Sequence, residues 1–205
     1  MTQQVIMITG TPGVGKTTIS QALANQLNGT HINISTLVQQ EQLIKSRDNQ
    51  RDTVIVDDVR LSHRLQQIIS NQTKPIILDT HYTIQSSEIL DISLVVVIRL
   101  DPDELTKRLR ARKYQESKIF ENVAAEILDV CLLDAVQHFE KHLVTEINAT
   151  NRDVEDIINI IIKTLDGELK AHTGWVNWLE KLENEKRLES FFSYLNGNQD
   201  TLVSS

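Results

Sequence analysis

A single cysteine, Cys131, among 205 residues rules out an intramolecular disulfide and fits a reducing compartment. Its neighbours, LDVCLLDAV, make it a buried helical thiol in preference to a nucleophile. No stretch approaches the roughly 18 apolar residues of a membrane span, and the N-terminus lacks a charged leader followed by a long apolar core. The expectation is therefore a cytoplasmic protein with no membrane association, and Asn28-Gly29-Thr30 and Asn148-Ala149-Thr150 are not read as glycosylation sites. Positive charge is scarce as well. Lys and Arg number 21 against 28 Asp and Glu, a net charge of −7 and a pI near 5.4, which argues against bulk electrostatic binding of nucleic acid. Internal repeats and low-complexity tracts are missing, and the length suits one α/β domain better than two.

What the chain does have lies near its start. Gly10 to Thr18 reads GTPGVGKTT and fits G-x-x-x-x-G-K-[ST], in which glycines let the backbone wrap a phosphate, a Lys reaches the β/γ-phosphates and a hydroxyl ligates Mg²⁺. The bland alternative is a Gly-rich turn. Context favours the phosphate: Val5-Ile6-Met7-Ile8 is an apolar run of buried-strand type, and Ile19, Leu23 and Leu27 follow at helical spacing. Strand, glycine loop and helix N-terminus together aim amides and a helix dipole at an anion. The motif names a ligand class without naming a reaction.

Further along, short apolar runs alternate with helical patterns, the signature of parallel strands joined by crossover helices. Five strands are expected, at Val5 to Thr9, Ile32 to Ile34, Ile76 to Leu78, Leu94 to Ile98 and Leu143 to Ile147. Helices are expected at about 16 to 27, 58 to 70, 103 to 112 and 117 to 140, with a last one from Asp153 onwards. Asp101-Pro102-Asp103-Glu104 marks a helix start, with Asp as cap, Pro in the first turn and Glu placed to return to the cap amide. The ending from Asn196 to Ser205 is a polar tail.

Phosphoryl chemistry needs a carboxylate for the metal and positive charge for the phosphates. Pro75-Ile76-Ile77-Leu78-Asp79 is an apolar strand ending in an acid, and a parallel sheet brings that end beside the first loop. Asp79 either positions Mg²⁺ or caps the next turn. His81, two residues on, is a structural hydrogen-bonding residue or a catalytic one. A basic exception in this acidic chain runs between Arg99 and Lys118, with Lys107, Arg108, Arg110, Arg112 and Lys113 between them. Arg108 and Arg112 share a helix face and either reach across bound phosphates, as in a closing lid, or form a solvated face. Arg110 and Lys113 are read as solvated. Trp175 and Trp178, three apart, share a helical face that packs on the core or meets a partner.

GTPGVGKTT, HINISTLVQQEQL, ILDTH and RLRARKYQESKIFENVAAEILDVCL, extended by NRDVEDI at Asn151 to Ile157 and GWVNWLE at Gly174 to Glu180, resemble the adenylate kinase isoenzyme 6 family, especially its archaeal members. The similarity spans about residues 4 to 182 of the sequence. It implies an α/β P-loop nucleoside monophosphate (NMP) kinase fold, a parallel five-stranded sheet flanked by helices. The kinase domain would occupy residues 1–182, with an NMP-binding insert at about 35–57 and a short lid at about 111–121, ahead of a helical extension and polar tail at 183–205. It also implies ATP and Mg²⁺ as cofactors, ATPase activity, and a role in small-subunit ribosome and 16S rRNA maturation through a platform ribosomal protein of the S-eleven family. Gly13, Gly15, Lys16, Thr17 and Thr18 match ATP-contacting positions, Arg112 the lid arginine, and Asp79 with His81 the family's Asp-x-His. Thr17 and Asp79 would hold the metal, and Lys16, Asp79, His81, Arg108 and Arg112 would serve the chemistry. One departure stands out. Conventional adenylate kinases carry an Arg early in the NMP helix, where this chain has Gln39 and Gln40; Arg47 and Arg51 are the candidate substitutes. Two functions follow: transfer of the γ-phosphoryl of MgATP to an NMP, or an assembly factor whose working activity is ATP hydrolysis. A GTPase is disfavoured because no N-K-x-D guanine-reading motif occurs.

Overall fold

In the computed structural model, residues 4–48, 53–81, 90–189 and 191 are described. The first strand, β1 (Val5–Thr9), is buried at every position, as expected of a strand whose residues are apolar on both faces. It runs into the glycine loop and then α1 (Lys16–Gln26), followed by β2 (Thr30–Asn33), α2 (Ile34–Gln40) and an antiparallel pair, β3 (Ile44–Asp48) and β4 (Thr53–Val56). Next come α3 (Asp58–Ser70), β5 (Ile76–Asp79), β6 (Leu94–Arg99), α4 (Pro102–Ala111), α5 (Glu116–Ile127) and α6 (Val130–His138). A 3₁₀ turn at Lys141–Leu143 leads to β7 (Val144–Asn148), α7 (Val154–Leu165) and α8 (Trp178–Asn184).

The main sheet is the expected one: five parallel strands in the order β2-β5-β1-β6-β7. Period-two alternation divides each strand between two cores. Ile6 and Ile8 face α1, α4, α5, α7 and α8, with Leu23, Leu105, Leu109, Ile119, Ile157 and Trp178. Val5 and Met7 face α2, α3 and α6, with Val38, Leu61, Leu65 and Leu132. The result is a helix–sheet–helix sandwich whose strand ends open on one edge.

Several boundaries differ from the sequence expectation, each for a local reason. Asn33 is the N-cap of α2, its side chain accepting from the Thr36 amide at 2.9 Å, so Ile34 opens a helix and does not end β2. Leu143 belongs to the 3₁₀ turn, which shifts the last strand to Val144–Asn148. The single helix expected at 117–140 breaks at Asp129, which adopts a left-handed φ of 57°. The break is pinned by Arg99, whose Nη2 donates to the Glu126 carbonyl at 2.8 Å and also pairs with Asp129. Asp101 caps α4 through its side chain, but Glu104 pairs with Arg108 while the Asp101 amide goes to Thr150 Oγ1 at 2.8 Å. The β3–β4 hairpin forms its own small sheet within the stretch expected as an insert.

Candidate active site

The loop between β1 and α1 is built around left-handed glycines. Gly10 has φ +141°, and a Cβ there would collide with the Ile98 carbonyl of the neighbouring strand; at Gly13, φ +103°, it would press on Leu105 and Leu109 of α4 at 2.8 and 2.9 Å. No other residue satisfies both the backbone and the packing. The loop folds around its own lysine: Lys16 Nζ donates to the carbonyls of Gly10 at 2.8 Å and Thr11 at 3.2 Å. Lys16 is 9% exposed. Burial pushes its pKa below the ordinary lysine value, with Arg112 adding to the effect, while Asp79, Glu126 and Cys131 oppose it.

Strand register assembles the acidic side. Asp79 ends β5 beside Ile8 of β1 and Asn33 of β2. Its Oδ2 accepts from Thr17 Oγ1 and from Asn33 Nδ2, each at 2.7 Å, and His31 Nε2 stands 3.5 Å away. Burial alone would raise the pKa of this 2% exposed carboxyl, but the His31, Thr17 and Asn33 contacts and the Lys16 charge outweigh it and hold the pKa below the ordinary Asp value. Asp79 is therefore an ionised carboxylate beside a hydroxyl, and Mg²⁺ is held through one or two such oxygens together with substrate phosphates. The residues fit that ion. His81 lies on the same rim, its Nδ1 3.4 Å from Ser35 Oγ of α2. The residue is exposed at this rim, where partial desolvation and then Lys16 lower its pKa, while Asp79 works the other way. The ring is thus biased toward its neutral form.

Arg108 and Arg112 lie on the other side of the loop. Together with Val14, Gly15, Thr18, Ala149 and Arg152 they line an open cleft of about 260 Å³ against α1 and α7. Arg108 donates from Nη1 to the Val14 carbonyl at 3.2 Å and pairs with Glu104. Arg110 turns outward, paired with Glu116 through Nε and Nη2 at 2.9 Å each, and Lys113 is exposed. The structure thus brings Gly13, Gly15, Lys16, Thr17, Thr18, Asp79, His81, Arg108 and Arg112 around one loop and directs Arg110 elsewhere. On the far side Gln39 and Gln40 are exposed on α2, and Arg51 lies outside the described residues.

Other contributors were not legible in the motifs. Asn33 and His31 reach Asp79 only because β2 pairs with β5. Arg99, grouped with the basic stretch by sequence, is 1% exposed and neutralised inside the core by Glu126 and Glu146. Arg152 joins the cleft from the turn before α7. Cys131 is only partly buried, in the first turn of α6, with Sγ 3.8 Å from the His81 carbonyl. Burial first of all pushes its thiol up to about 11, so it stays protonated and is no nucleophile at neutral pH. The two tryptophans do not share a helical face: Trp178 opens α8 and is buried, whereas Trp175 precedes the helix and is 46% exposed.

A parallel sheet in this order, a glycine loop closing on a lysine and a carboxylate beside the loop's hydroxyl define a P-loop fold. Comparison with known proteins agrees. The family model described as an AAA domain matches residues 6–129. "Putative adenylate kinase" of Methanocaldococcus jannaschii is 39% identical over 184 residues, which cover 90% of this chain and 98% of that protein. The protein of the same name from Methanococcus maripaludis is 35% identical over 181 residues, 86% of this chain and 96% of its own length. Among solved structures, shikimate kinase from Bacteroides thetaiotaomicron shares the fold, with a TM-score of 0.56 at 17% identity over 80% of this chain and 98% of that one. The chain belongs to the P-loop family of these archaeal proteins. Among the described residues, no helix is long and apolar enough to cross a membrane.

Proposed function

We propose that this protein is an adenylate kinase-type NMP kinase, transferring the γ-phosphoryl group of MgATP to AMP or a related monophosphate, with water as a competing acceptor. The observation that supports it best is the Thr17–Asp79 pair at 2.7 Å beside the buried Lys16, a hydroxyl, a carboxylate and an ammonium around one loop. The acceptor phosphate oxygen attacks phosphorus in line, the bond to the bridging oxygen of ADP breaks, and no covalent enzyme intermediate forms. Lys16 neutralises the β/γ oxygens, the amides at Gly13 and Gly15 cradle phosphate with Thr18 beside them, and Arg108 and Arg112 steady the transferring group from the cleft. Mg²⁺, when bound, supplies further charge neutralisation, with Thr17 and Asp79 as its protein oxygens. His81, neutral and close to Ser35 of α2, orients the acceptor side. In this reading residues 1–182 are the kinase domain, α2 with the β3–β4 hairpin (about 35–57) is the acceptor insert, the α4–α5 junction (about 111–121) is the lid, and residues 183–205 are an extension.

One observation favours a larger hydrolytic share: α2 presents Gln39 and Gln40 where an acceptor clamp would carry a guanidinium. ADP production measured over an AMP titration separates the regimes. Saturable stimulation of ATP consumption by AMP supports the kinase; consumption indifferent to AMP supports an ATPase. The resemblance to the isoenzyme 6 family extends the proposal to small-subunit ribosome maturation. Capture of a platform ribosomal protein of the S-eleven family by the ATP-loaded protein, and not by the nucleotide-free one, is its test.

A further inference from the structure

Behind the phosphate loop the core holds a cluster of charges. Arg99, Glu126 and Glu146 are 1%, 1% and 3% exposed. Arg99 Nε donates to Glu126 Oε1 at 2.8 Å and Nη1 to Glu146 Oε1 at 2.5 Å. Buried ions are expensive unless every lone pair finds a donor, and the remaining donors come from the phosphate loop, the residue after β6 and the stretch that leads into α8. Glu126 Oε2 accepts from Thr11 Oγ1 of the phosphate loop at 2.5 Å, while Oε1 also accepts from the Leu100 amide and the Trp178 indole, each at 3.1 Å. Glu146 Oε2 accepts from the amides of Gly174 at 2.9 Å, Trp175 at 3.2 Å and Val176 at 3.4 Å. The Trp175 indole donates to the Glu146 carbonyl at 3.1 Å, and the Glu146 amide donates to His172 at 2.8 Å. The stretch 172–178 is thus laid along β7 by a strand glutamate and fastened to α5 by an indole. Thr11, at the other end, is fully buried and supplies one of the two carbonyls that hold Lys16.

We infer that residues 172–178 are a strap that positions the phosphate loop through the buried relay Glu146–Arg99–Glu126–Thr11, so that its seating sets how well the loop holds a nucleotide phosphate. Trp178 and Glu126 are positioning residues in this relay. Glu126 Oε1 accepts from Arg99, Leu100 and the indole while Oε2 accepts from Thr11, so loss of the indole donor removes one of the three Oε1 contacts that orient the carboxylate, and its bond to Thr11 shifts with it. Networks of this kind act as units and not as sums of pairs. A cluster that merely stapled β6 to β7 would need neither Thr11 nor the indole.

The test is Trp178→Phe, which keeps an aromatic ring and removes the indole N–H, beside Thr11→Val, which cuts the far end, and Val144→Ala, a core truncation in β7 that removes no hydrogen bond of the relay. In nucleotide-free protein, Trp178→Phe should speed amide hydrogen exchange across residues 10–16, and Thr11→Val should speed it across 174–178, because coupling is reciprocal. Val144→Ala should do neither at a comparable loss of Tm. Where ATP binds, Trp178→Phe should raise its apparent KM roughly 3- to 10-fold with little change in kcat, the scale of coupling through a polar network. Unchanged exchange at the distant end in both relay variants, or equal changes in the Val144→Ala control, overturns the strap. The inference rests on the nucleotide reading only for its KM arm. Failure of the unmodified protein to bind ATP would defeat that reading, while hydrogen exchange still decides the relay.

Discussion

The two sides of this site are built differently. The phosphate loop springs from β1 and leans on β5 and β6, strands buried at every position, and its lysine and aspartate are 9% and 2% exposed. Across the rim, α2 is seven residues long with only Ile34 and Val38 buried, and β3 and β4 pair with each other alone. Val54, Ile55 and Val59 there are 39%, 50% and 65% exposed. This region meets the core through a few residues, Ile34, Val38 and Leu43, and through polar contacts such as Arg64 Nε on both Glu41 oxygens at 2.9 and 2.8 Å. The difference teaches where precision resides. In the proposed reading, groups facing the donor phosphates are fixed by the core before any ligand arrives, the condition for electrostatic stabilisation without reorganisation, whereas groups facing the acceptor rest on fewer contacts.

The sharpest break of this asymmetry is Lys16→Ala. It should keep the fold and lower ADP production by roughly 10²-fold or more, the loss of one preorganised charge contact; unchanged turnover would remove the nucleotide-enzyme reading. Asp79→Asn comes next. It should cut Mg²⁺-dependent turnover far more than Mg²⁺-free ATP binding, measured by calorimetry in EDTA, and equal loss in both would mark a structural Asp. A pH series extends the test to the intact lysine. The pKa of Lys16 is lowered in the free protein and phosphate favours its charged form, so ATP affinity should decline as pH rises through a value below the ordinary lysine pKa of about 10.4. Stability answers with the opposite sign. The cost of burying a charged Lys16 is relieved as pH rises through that folded value, whereas the contribution of Asp79 is complete above the usual carboxylate range and is lost as pH falls through its depressed value. On the acceptor side effects shrink. Gln39→Arg should lower the apparent KM for AMP by roughly 10-fold, a charge-assisted phosphate contact replacing a neutral one, and no change would show that another cation already serves. Smallest of all, Ile55→Ser on the hairpin should shift unfolding free energy by less than about 0.5 kcal/mol in a urea titration.

The donor side could be read from the sequence because its signals are local. A glycine loop between an apolar strand and a helix, and an apolar strand ending at Asp79, are contiguous patterns that need no tertiary partner. Five strands and their parallel sense followed from the same periodicity. The rest depended on register or burial. Asn33 gained its place by lying opposite Asp79, Arg99 looked basic until its acids arrived from 27 and 47 residues away, and the helix break at Asp129 answers to that same arginine. The β3–β4 hairpin was missed because its pattern, IKSRD and TVIV, is short and mixed. The Trp pair was misread because helical spacing was assumed across a start that Asn177 caps, its side chain accepting from the Glu180 amide at 2.9 Å.

Asn33 carries one further consequence. Its Nδ2 donates to Asp79 Oδ2 at 2.7 Å while its Oδ1 accepts from the Thr36 amide and hydroxyl at 2.9 and 3.0 Å. One planar amide therefore spans from Asp79 to the first turn of α2 and cannot rotate for one without disturbing the other. In the proposed reaction the two substrates are then coupled ligands: MgATP that draws on Asp79 changes the affinity for the monophosphate, and the monophosphate changes the affinity for MgATP by the same factor. In kinetic terms, neither KM is a property of its own subsite.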